Sequence, residues 1–174
     1  PLLLAGEGCL ILARAKPELR LSWVRVTLII MSKNKKIGLL GGSFNPAHEG
    51  HVHISVQAAD RLGLDEVWWL VSPQNPLKPT IGMAPLKERV AGAKKIAKDP
   101  IIKISTIESD LGTQYTIDAI KALQKKFVGC RFVWLMGADN LIDCHKWKDW
   151  EDIFARVPVA VVDREPYNNK ALVS

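Results

Sequence analysis

Residues 41–51 hold three glycines and two histidines in the order G-G-S-F-N-P-A-H-E-G-H. Gly41 and Gly42 let the backbone turn sharply and let a phosphate approach main-chain N–H groups without an intervening Cβ. A helical pattern begins at the end of the segment, and a helix N-terminus favours anions. His48 and His51 are three residues apart, so both rings can face one ligand. The segment therefore predicts a phosphate-handling loop.

This loop differs from two common phosphate-binding patterns. The G-x-G-x-x-G dinucleotide pattern does not occur, and no Gly-Lys-Ser/Thr follows the glycines as in a Walker loop. A metal pair is an alternative interpretation of His48 and His51, but no third ligand stands at a suitable spacing. The other alternative is that the two histidines are merely polar residues that cap a helix.

The elements around the loop alternate between short apolar runs and helical patterns. Strands are predicted at residues 37–40, 67–71, 101–107, 132–136 and 157–162, and helices at 52–62, 85–98, 115–127 and 141–155. The alternation indicates βαβ crossovers, which are nearly always right-handed. We therefore expect an α/β fold with a Rossmann-like, doubly wound sheet of about five parallel strands and helices on both faces. Ligands of such sheets bind at the carboxyl ends of the strands, where the glycine loop falls.

Composition sets limits on the function. A chain of 174 residues can bury one sizeable core, and its net charge of +6 suits an anionic small molecule. No dense basic stripe with interleaved aromatics indicates nucleic acid. The three cysteines form no C-x-x-C pair, which argues against disulfides and zinc and favours a reducing, cytoplasmic location. No apolar run approaches the roughly 20 residues that span a membrane.

The loop closely resembles the signature of the adenylyltransferases that make dinucleotides, a branch of the HxGH nucleotidyltransferase superfamily. Four further segments occur in that family's order: S-P-Q-N-P-L-K-P at 72–79, T-Q-Y-T-I-D-A-I at 113–120, M-G-A-D-N-L at 136–141 and H-K-W-K-D-W at 145–150. Together the five segments resemble the bacterial nicotinate mononucleotide adenylyltransferases. Residues 31–174 are thus predicted to be a nucleotidyltransferase domain, and residues 1–30 an upstream extension of unassigned role.

The resemblance implies adenylyl transfer from ATP to nicotinate mononucleotide, which yields nicotinate adenine dinucleotide and pyrophosphate in NAD biosynthesis. Such chemistry depends on alignment and charge stabilisation more than on covalent participation. The implied cofactor is Mg²⁺, held mainly by the ATP phosphates and by water rather than by a protein metal site. Neither a nucleic acid nor a membrane is an implied partner, and the oligomeric state is not predicted.

The resemblance also assigns roles to individual residues. His48 and His51 are implied as the catalytic residues, because they would donate to the ATP phosphates in the transition state. The implied ATP-binding residues are Gly41, Gly42, Ser43, Phe44, Gly50 and Asp139. The implied acceptor-binding residues are Asn75, Lys78, Tyr115, Thr116 and Trp147, of which Trp147 would stack on the pyridine ring.

Plainer roles remain open for several of these residues. Trp147 and Trp150 are three residues apart and could pack on one face of a helix. Asp139 could cap the helix that follows it, and Lys78 could be a solvated loop lysine. Trp68, Trp69 and Trp134 lie in predicted strands and are expected to fill the core. His53 and His145 are expected at the surface.

One segment of the family's pattern is missing from the sequence. The family's I-S-x-T-x-x-R segment has no counterpart up to Ser174, and Arg164 is not equivalent because it directly follows the fifth predicted strand. The resemblance therefore predicts a C-terminally truncated chain. Three alternative functions stay open: adenylyl or cytidylyl transfer to another phosphorylated acceptor such as phosphopantetheine, an inactive fragment that only binds the mononucleotide, and a metal-dependent hydrolase.

Overall fold

A computed structural model of the protein describes residues 35–74 and 81–162, together with the backbone of residues 3–4 and 9–12. The described strands are β1 (Leu3–Leu4), β2 (Cys9–Leu12), β3 (Lys36–Gly42), β4 (Glu66–Val71), β5 (Ile102–Ser105), β6 (Arg131–Gly137) and β7 (Val159–Val162). The described helices are α1 (Glu49–Leu62), α2 (Leu86–Ile96), α3 (Ile107–Asp110), α4 (Thr116–Lys126), α5 (Ala138–Asp143) and α6 (Trp150–Arg156), with a 3₁₀ helix at Cys144–Lys146.

These strands form one sheet in the order β1-β2-β7-β6-β3-β4-β5. The five strands from β7 to β5 are parallel, as the sequence predicted. The chain runs outward from β3 through β4 to β5, and then returns to the other side of β3 to form β6 and β7. The order therefore reverses between β3 and β6, and a crevice outside the carboxyl ends of these two strands is the expected ligand site.

Helices cover both faces of the parallel sheet. On one face Leu40 packs with Ala58 of α1 and Ala93 of α2. On the other face Leu39 packs with Ile117 of α4 and with α6. Neighbouring residues of β3 thus point into different halves of the core, which explains why the strands read as continuous apolar runs instead of alternating ones.

Two element boundaries differ from the sequence prediction. The strand predicted at 101–107 ends at Ser105, and Ile107 already begins α3. The helix predicted at 141–155 is instead three shorter segments, because Trp147 has extended backbone and Asp149 adopts the left-handed conformation at φ 48°. Aspartate tolerates that conformation better than most residues with a side chain. The break matters for the site, because it turns Trp147 out of any helix.

Parts of the predicted upstream extension join the sheet. β2 pairs antiparallel with β7, and β1 pairs antiparallel with β2. These strands cover the edge of β7, and an uncovered edge strand is open to pairing with other chains. Among the described helices, none is long and apolar enough to cross a membrane.

Candidate active site

A cavity of about 660 Å³ opens at the carboxyl ends of β3, β4 and β6. It lies at the point where the strand order reverses. The predicted site residues that line it are Gly41, Gly42, Ser43, Phe44, His48, His51, Tyr115, Thr116, Asp139 and Trp147. Gly50 does not line the cavity, and Asn75 and Lys78 fall outside the described residues. Residues separated by a hundred positions in the sequence thus meet around one space.

His48 and His51 stand at the N-terminus of α1 with their ring centroids 4.0 Å apart. The main-chain N–H of His48 donates to Nδ1 of His51 at 3.2 Å. Because Nδ1 accepts this hydrogen bond, the proton of a neutral His51 ring lies on Nε2. The helix start therefore orients the His51 imidazole as a donor from Nε2, which is the orientation that an anionic ligand requires.

The aromatic core holds His51 in place. The ring of Phe44 lies 4.7 Å from the His51 ring and stacks on Trp69 at 5.0 Å. The indole N–H of Trp69 donates to the Ser55 hydroxyl at 2.7 Å, and that hydroxyl donates to the carbonyl oxygen of His51 at 2.8 Å. Trp69 is fully buried, as the sequence predicted, and it also anchors the backbone of a site residue.

Phe44 has an unusual backbone conformation for a bulky residue. Its φ is +48°, in the left-handed region, and its side chain is only 2% exposed. This conformation costs roughly 1–2 kcal/mol for a residue with a Cβ. Burial of a phenylalanine ring contributes about 1.5–3 kcal/mol, which offsets that cost. The loop is therefore held in its turn by the core beneath it.

The other end of the cavity is aromatic and basic. Trp147 is half-buried and meets Trp134 edge to face, with ring centroids 6.1 Å apart. Trp150 begins α6 and packs on Phe154, so the shared helix face proposed for the two tryptophans is wrong. Tyr115 and Thr116 form the start of α4, whose N-terminal N–H groups favour an anion.

Lys148 brings a positive charge to the same end. Its Nζ lies 4.6 Å from the centroid of the Tyr115 ring and donates to the Asp118 carboxylate at 3.1 Å. Lys148 and Lys146 both line the cavity. Sequence reasoning missed these lysines because several lysines surround them and nothing local separates cavity residues from the wet surface.

Asp139 lies in the first turn of α5, and the cap position belongs to Gly137. The alternative role of Asp139 as the helix cap is therefore wrong. An acidic residue in the first turn still stabilises the helix dipole, and the exposed Asp139 lines the cavity at the carboxyl end of β6.

Two further cavity residues were not predicted. Glu108 is 4% exposed, and burial raises the pKa of its carboxyl, with a hydrogen bond to Ser72 opposing the rise. Trp134 was expected in the core and is 2% exposed there, yet it also lines the cavity. Neither Oε2 of Glu108 nor Nε1 of Trp134 has a hydrogen-bond partner within the described residues. The usable signal for Glu108 was its place directly after the predicted strand at 101–107, at the carboxyl end where ligands of such sheets bind.

Two surface assignments had different outcomes. His145 is exposed as expected, but His53 is half-buried and its Nε2 is enclosed. Within the described part of the chain, no group of three His, Cys, Asp or Glu side chains is placed to hold a metal ion.

The glycine turn, the paired histidines at a helix start and the cleft at the reversal point of a parallel sheet form a site suited to a phosphate-bearing nucleotide. The family model of cytidylyltransferase-like proteins matches residues 39–173. A protein of Parvibaculum lavamentivorans named probable nicotinate-nucleotide adenylyltransferase is 54% identical over 145 residues, which cover 83% of this chain and 72% of that relative. A protein of the same name from Bradyrhizobium sp. (strain ORS 278) is 56% identical over 137 residues, covering 79% of this chain and 71% of that relative. The chain belongs to the nicotinate-nucleotide adenylyltransferase family.

A solved structure has the same fold. The nicotinic acid mononucleotide adenylyltransferase of Plasmodium falciparum, complexed with NaAD, aligns with a TM-score of 0.60 at 20% identity. The alignment covers 68% of this chain and 60% of that chain. At this identity the likeness concerns the fold alone, and it confirms the predicted α/β architecture.

Proposed function

We propose that this chain transfers the adenylyl group of ATP to nicotinate mononucleotide, releasing pyrophosphate, as a step of NAD biosynthesis in the cytoplasm. The observation that carries the proposal is one cavity with a histidine pair at one end and an aromatic, basic pocket at the other. The names of the relatives at 54% and 56% identity support the same reaction. We propose that each half of the product has its own place in this cavity.

In the proposed reaction a phosphate oxygen of the mononucleotide attacks the α-phosphorus of ATP. The P–O bond to the β-phosphate breaks, and pyrophosphate leaves with the bonding electrons. His51 donates from Nε2 and His48 lies 4.0 Å away by ring centroids, so both can stabilise the charge that develops on the triphosphate. A hydrogen bond to a charged group contributes about 1.5–3 kcal/mol. Main-chain N–H groups next to Gly41 and Gly42 complete the proposed phosphate site.

The acceptor is proposed to lie at the aromatic end. Trp134 and Trp147 meet in a T-shaped contact, and we propose that the Trp147 indole stacks on the pyridine ring. The N-terminus of α4 at Tyr115 and Thr116 would bind the nicotinate carboxylate through main-chain N–H groups. Asp139 would accept hydrogen bonds from ribose hydroxyls on the nucleotide side. The roles of Asn75 and Lys78 stay predictions.

The proposed cofactor is Mg²⁺. The described lining of the cavity contains two acidic residues, Glu108 and Asp139. So few carboxylates suit Mg²⁺, because this ion keeps several waters and would be held mostly by the triphosphate oxygens. When bound, the ion would neutralise phosphate charge. The chain's own share of the chemistry is then to orient the triphosphate on the histidine pair.

Pyrophosphate release in the presence of ATP, Mg²⁺ and nicotinate mononucleotide tests the proposal. His48→Ala and His51→Ala should each lower kcat by about 10²–10³-fold, the usual effect of removing one transition-state donor. His145→Ala is the matched control, since this exposed histidine does not line the cavity. Full activity of His48→Ala would contradict the mechanism.

Three further measurements distinguish the proposed reaction from the alternative functions. A panel with phosphopantetheine as acceptor and CTP as donor would reveal a different transfer reaction. Calorimetry with ATP and with nicotinate mononucleotide separately would reveal a module that binds only the acceptor. Release of phosphate that depends on a transition metal, in place of pyrophosphate release, would indicate a hydrolase.

A further inference from the structure

Arg89 joins three loop segments around the cavity from its position in the first half of α2. It is 4% exposed. Its Nη1 donates to the carbonyl oxygens of Ser43 at 2.6 Å and Ser72 at 2.7 Å. Its Nε donates to Ala84 at 2.9 Å, and its Nη2 donates to Pro73 at 2.9 Å. One guanidinium thus binds four main-chain carbonyls.

Two of the four carbonyls that Arg89 binds belong to residues that line the cavity. Ser43 follows β3 in the glycine loop, Ser72 follows β4, and both residues line the cavity. A second link joins the same loops, since the Asn45 side chain donates to Gly82 at 3.1 Å and accepts from the N–H of Ala84 at 3.2 Å. Arg89 is therefore at the centre of a small network that couples the two loops.

The bond to Ser43 determines the direction of a peptide group. The peptide bond between Ser43 and Phe44 is trans, so its C=O and N–H point in opposite directions. With the carbonyl held by Arg89, the N–H of Phe44 points away from Arg89. Because Ser43 and Phe44 both line the cavity, Arg89 fixes the orientation of a peptide group in the cavity wall.

Arg89 also carries an uncompensated charge. Within the described residues no carboxylate lies within ion-pair distance of it, and its hydrogen bonds there all go to main-chain carbonyls. A buried, permanently protonated guanidinium behind the glycine loop adds a positive potential at an anion site. Lysine could not replace it, because an ammonium lacks the planar fork that serves four acceptors at once.

We propose that Arg89 is a positioning residue: it fixes the Ser43–Phe44 peptide group of the glycine loop beside the phosphate site and holds that loop against the one after β4. The inference rests on the proposed function only in taking the anionic ligand to be ATP. It predicts that the arginine acts on both binding and turnover. A displacement of about 1 Å in a site of this kind can lower kcat by 10²-fold.

The test uses Arg89→Lys and Arg89→Ala in the full chain, with Arg131→Lys as a control at an exposed position on the opposite end of the sheet. We expect Arg89→Lys to weaken ATP binding, measured by calorimetry without acceptor, by about tenfold, and to lower kcat further. Free guanidinium should partly restore both quantities in Arg89→Ala and have no such effect on Arg89→Lys or the control.

An effect of Arg89 on ATP binding can be distinguished from a loss of folding and from failure of the proposed reaction. ATP binding is measured per folded molecule, as judged by circular dichroism at the assay temperature. If Arg89→Ala does not fold, Arg89→Lys alone decides. Wild-type ATP affinity and kcat in a folded Arg89→Lys would overturn the inference. If the wild type binds ATP but transfers nothing to nicotinate mononucleotide, the proposed function fails, while the comparison of ATP affinities still tests Arg89.

Discussion

The backbone of Gly41 lies so close to the Trp134 indole that a side chain at this position would overlap the ring. A Cβ at this position would lie 2.4 Å from Cη2 and 2.9 Å from Cζ2 of Trp134. The obstacle is a rigid indole ring that is 2% exposed, so it cannot swing into solvent as the end of a flexible side chain would. In Gly41→Ala either the indole shifts against Trp147 or the strands move apart.

The expected cost follows from that overlap. Adding a methyl group to a packed core costs about 1–3 kcal/mol. For a domain of this size each kcal/mol lowers Tm by roughly 2–4 °C, so a central value of about 2 kcal/mol gives about 4–8 °C. A shifted Trp134 also disturbs its edge contact with Trp147, and we therefore expect the KM for nicotinate mononucleotide to rise more than the KM for ATP.

Thermal unfolding and steady-state kinetics measure both effects. Gly92→Ala in α2 is the matched control, because a Cβ there would meet no atom within 4 Å. That control should be stabilised by about 0.4–1 kcal/mol through the unfolded state. An unchanged Tm in Gly41→Ala would refute the packing argument. A lowered Tm with an unchanged KM for the acceptor would refute the link between Trp134 and the acceptor pocket.

Three other predictions concern residues in or beside the cavity. Burial raises the pKa of Glu108 above its ordinary 4.5, so folding takes up a proton and stability falls as the pH rises from that value through the folded-state pKa. Glu108→Gln should thus be more stable than the wild type at neutral pH, with the gap closing in acid, as measured by thermal melts across pH. Lys148→Met should lower kcat/KM for nicotinate mononucleotide about threefold relative to nicotinamide mononucleotide, because a partly exposed charge contributes less than about 1 kcal/mol. Ser55→Ala should lower the free energy of unfolding in urea by about 1–3 kcal/mol, because it leaves the buried Trp69 N–H without its acceptor.

Each of these has a clear opposing result. A Glu108→Gln variant whose stability gain persists unchanged in acid would show that the effect is packing and not ionisation. Equal losses on the two mononucleotides would exclude a charge role for Lys148. For Ser55 the control is a Trp69→Phe background, which lacks the indole N–H. Ser55→Ala should cost less there, and equal stability losses in both backgrounds would contradict the hydrogen-bond argument.

The sheet and half of the site were predictable because their signals are local. A run of apolar residues indicates a strand that is buried on both faces. Gly41 indicates the turn after the first such strand, and His48 indicates the start of the helix that follows. Such features depend on neighbours within a few positions. These features can be predicted without knowing which strands lie side by side. The rule that ligands bind at the carboxyl ends of parallel strands then predicts that the features form one site.

Residues that act over long separations were not predictable in the same way. Arg89 binds a carbonyl 46 positions away and another 17 positions away. In the sequence it is one of several basic residues on an amphipathic helix. Glu108 was missed for a related reason, because its burial and its contact with Ser72, 36 positions away, follow from the packed fold and not from its neighbours in the sequence. Only the packing of the loops distinguishes these residues from surface charges.

The tryptophans show why core and site cannot be separated in this protein. The sequence assigns Trp69 and Trp134 to the core, and both are buried, yet Trp69 anchors the His51 backbone through Ser55 and Trp134 supports Trp147. Donors in a transition state must be held to within a fraction of an ångström, and a close-packed interior supplies that rigidity better than a loop does. We therefore expect conservative changes in these core residues to alter kinetics at temperatures where the fold is still intact.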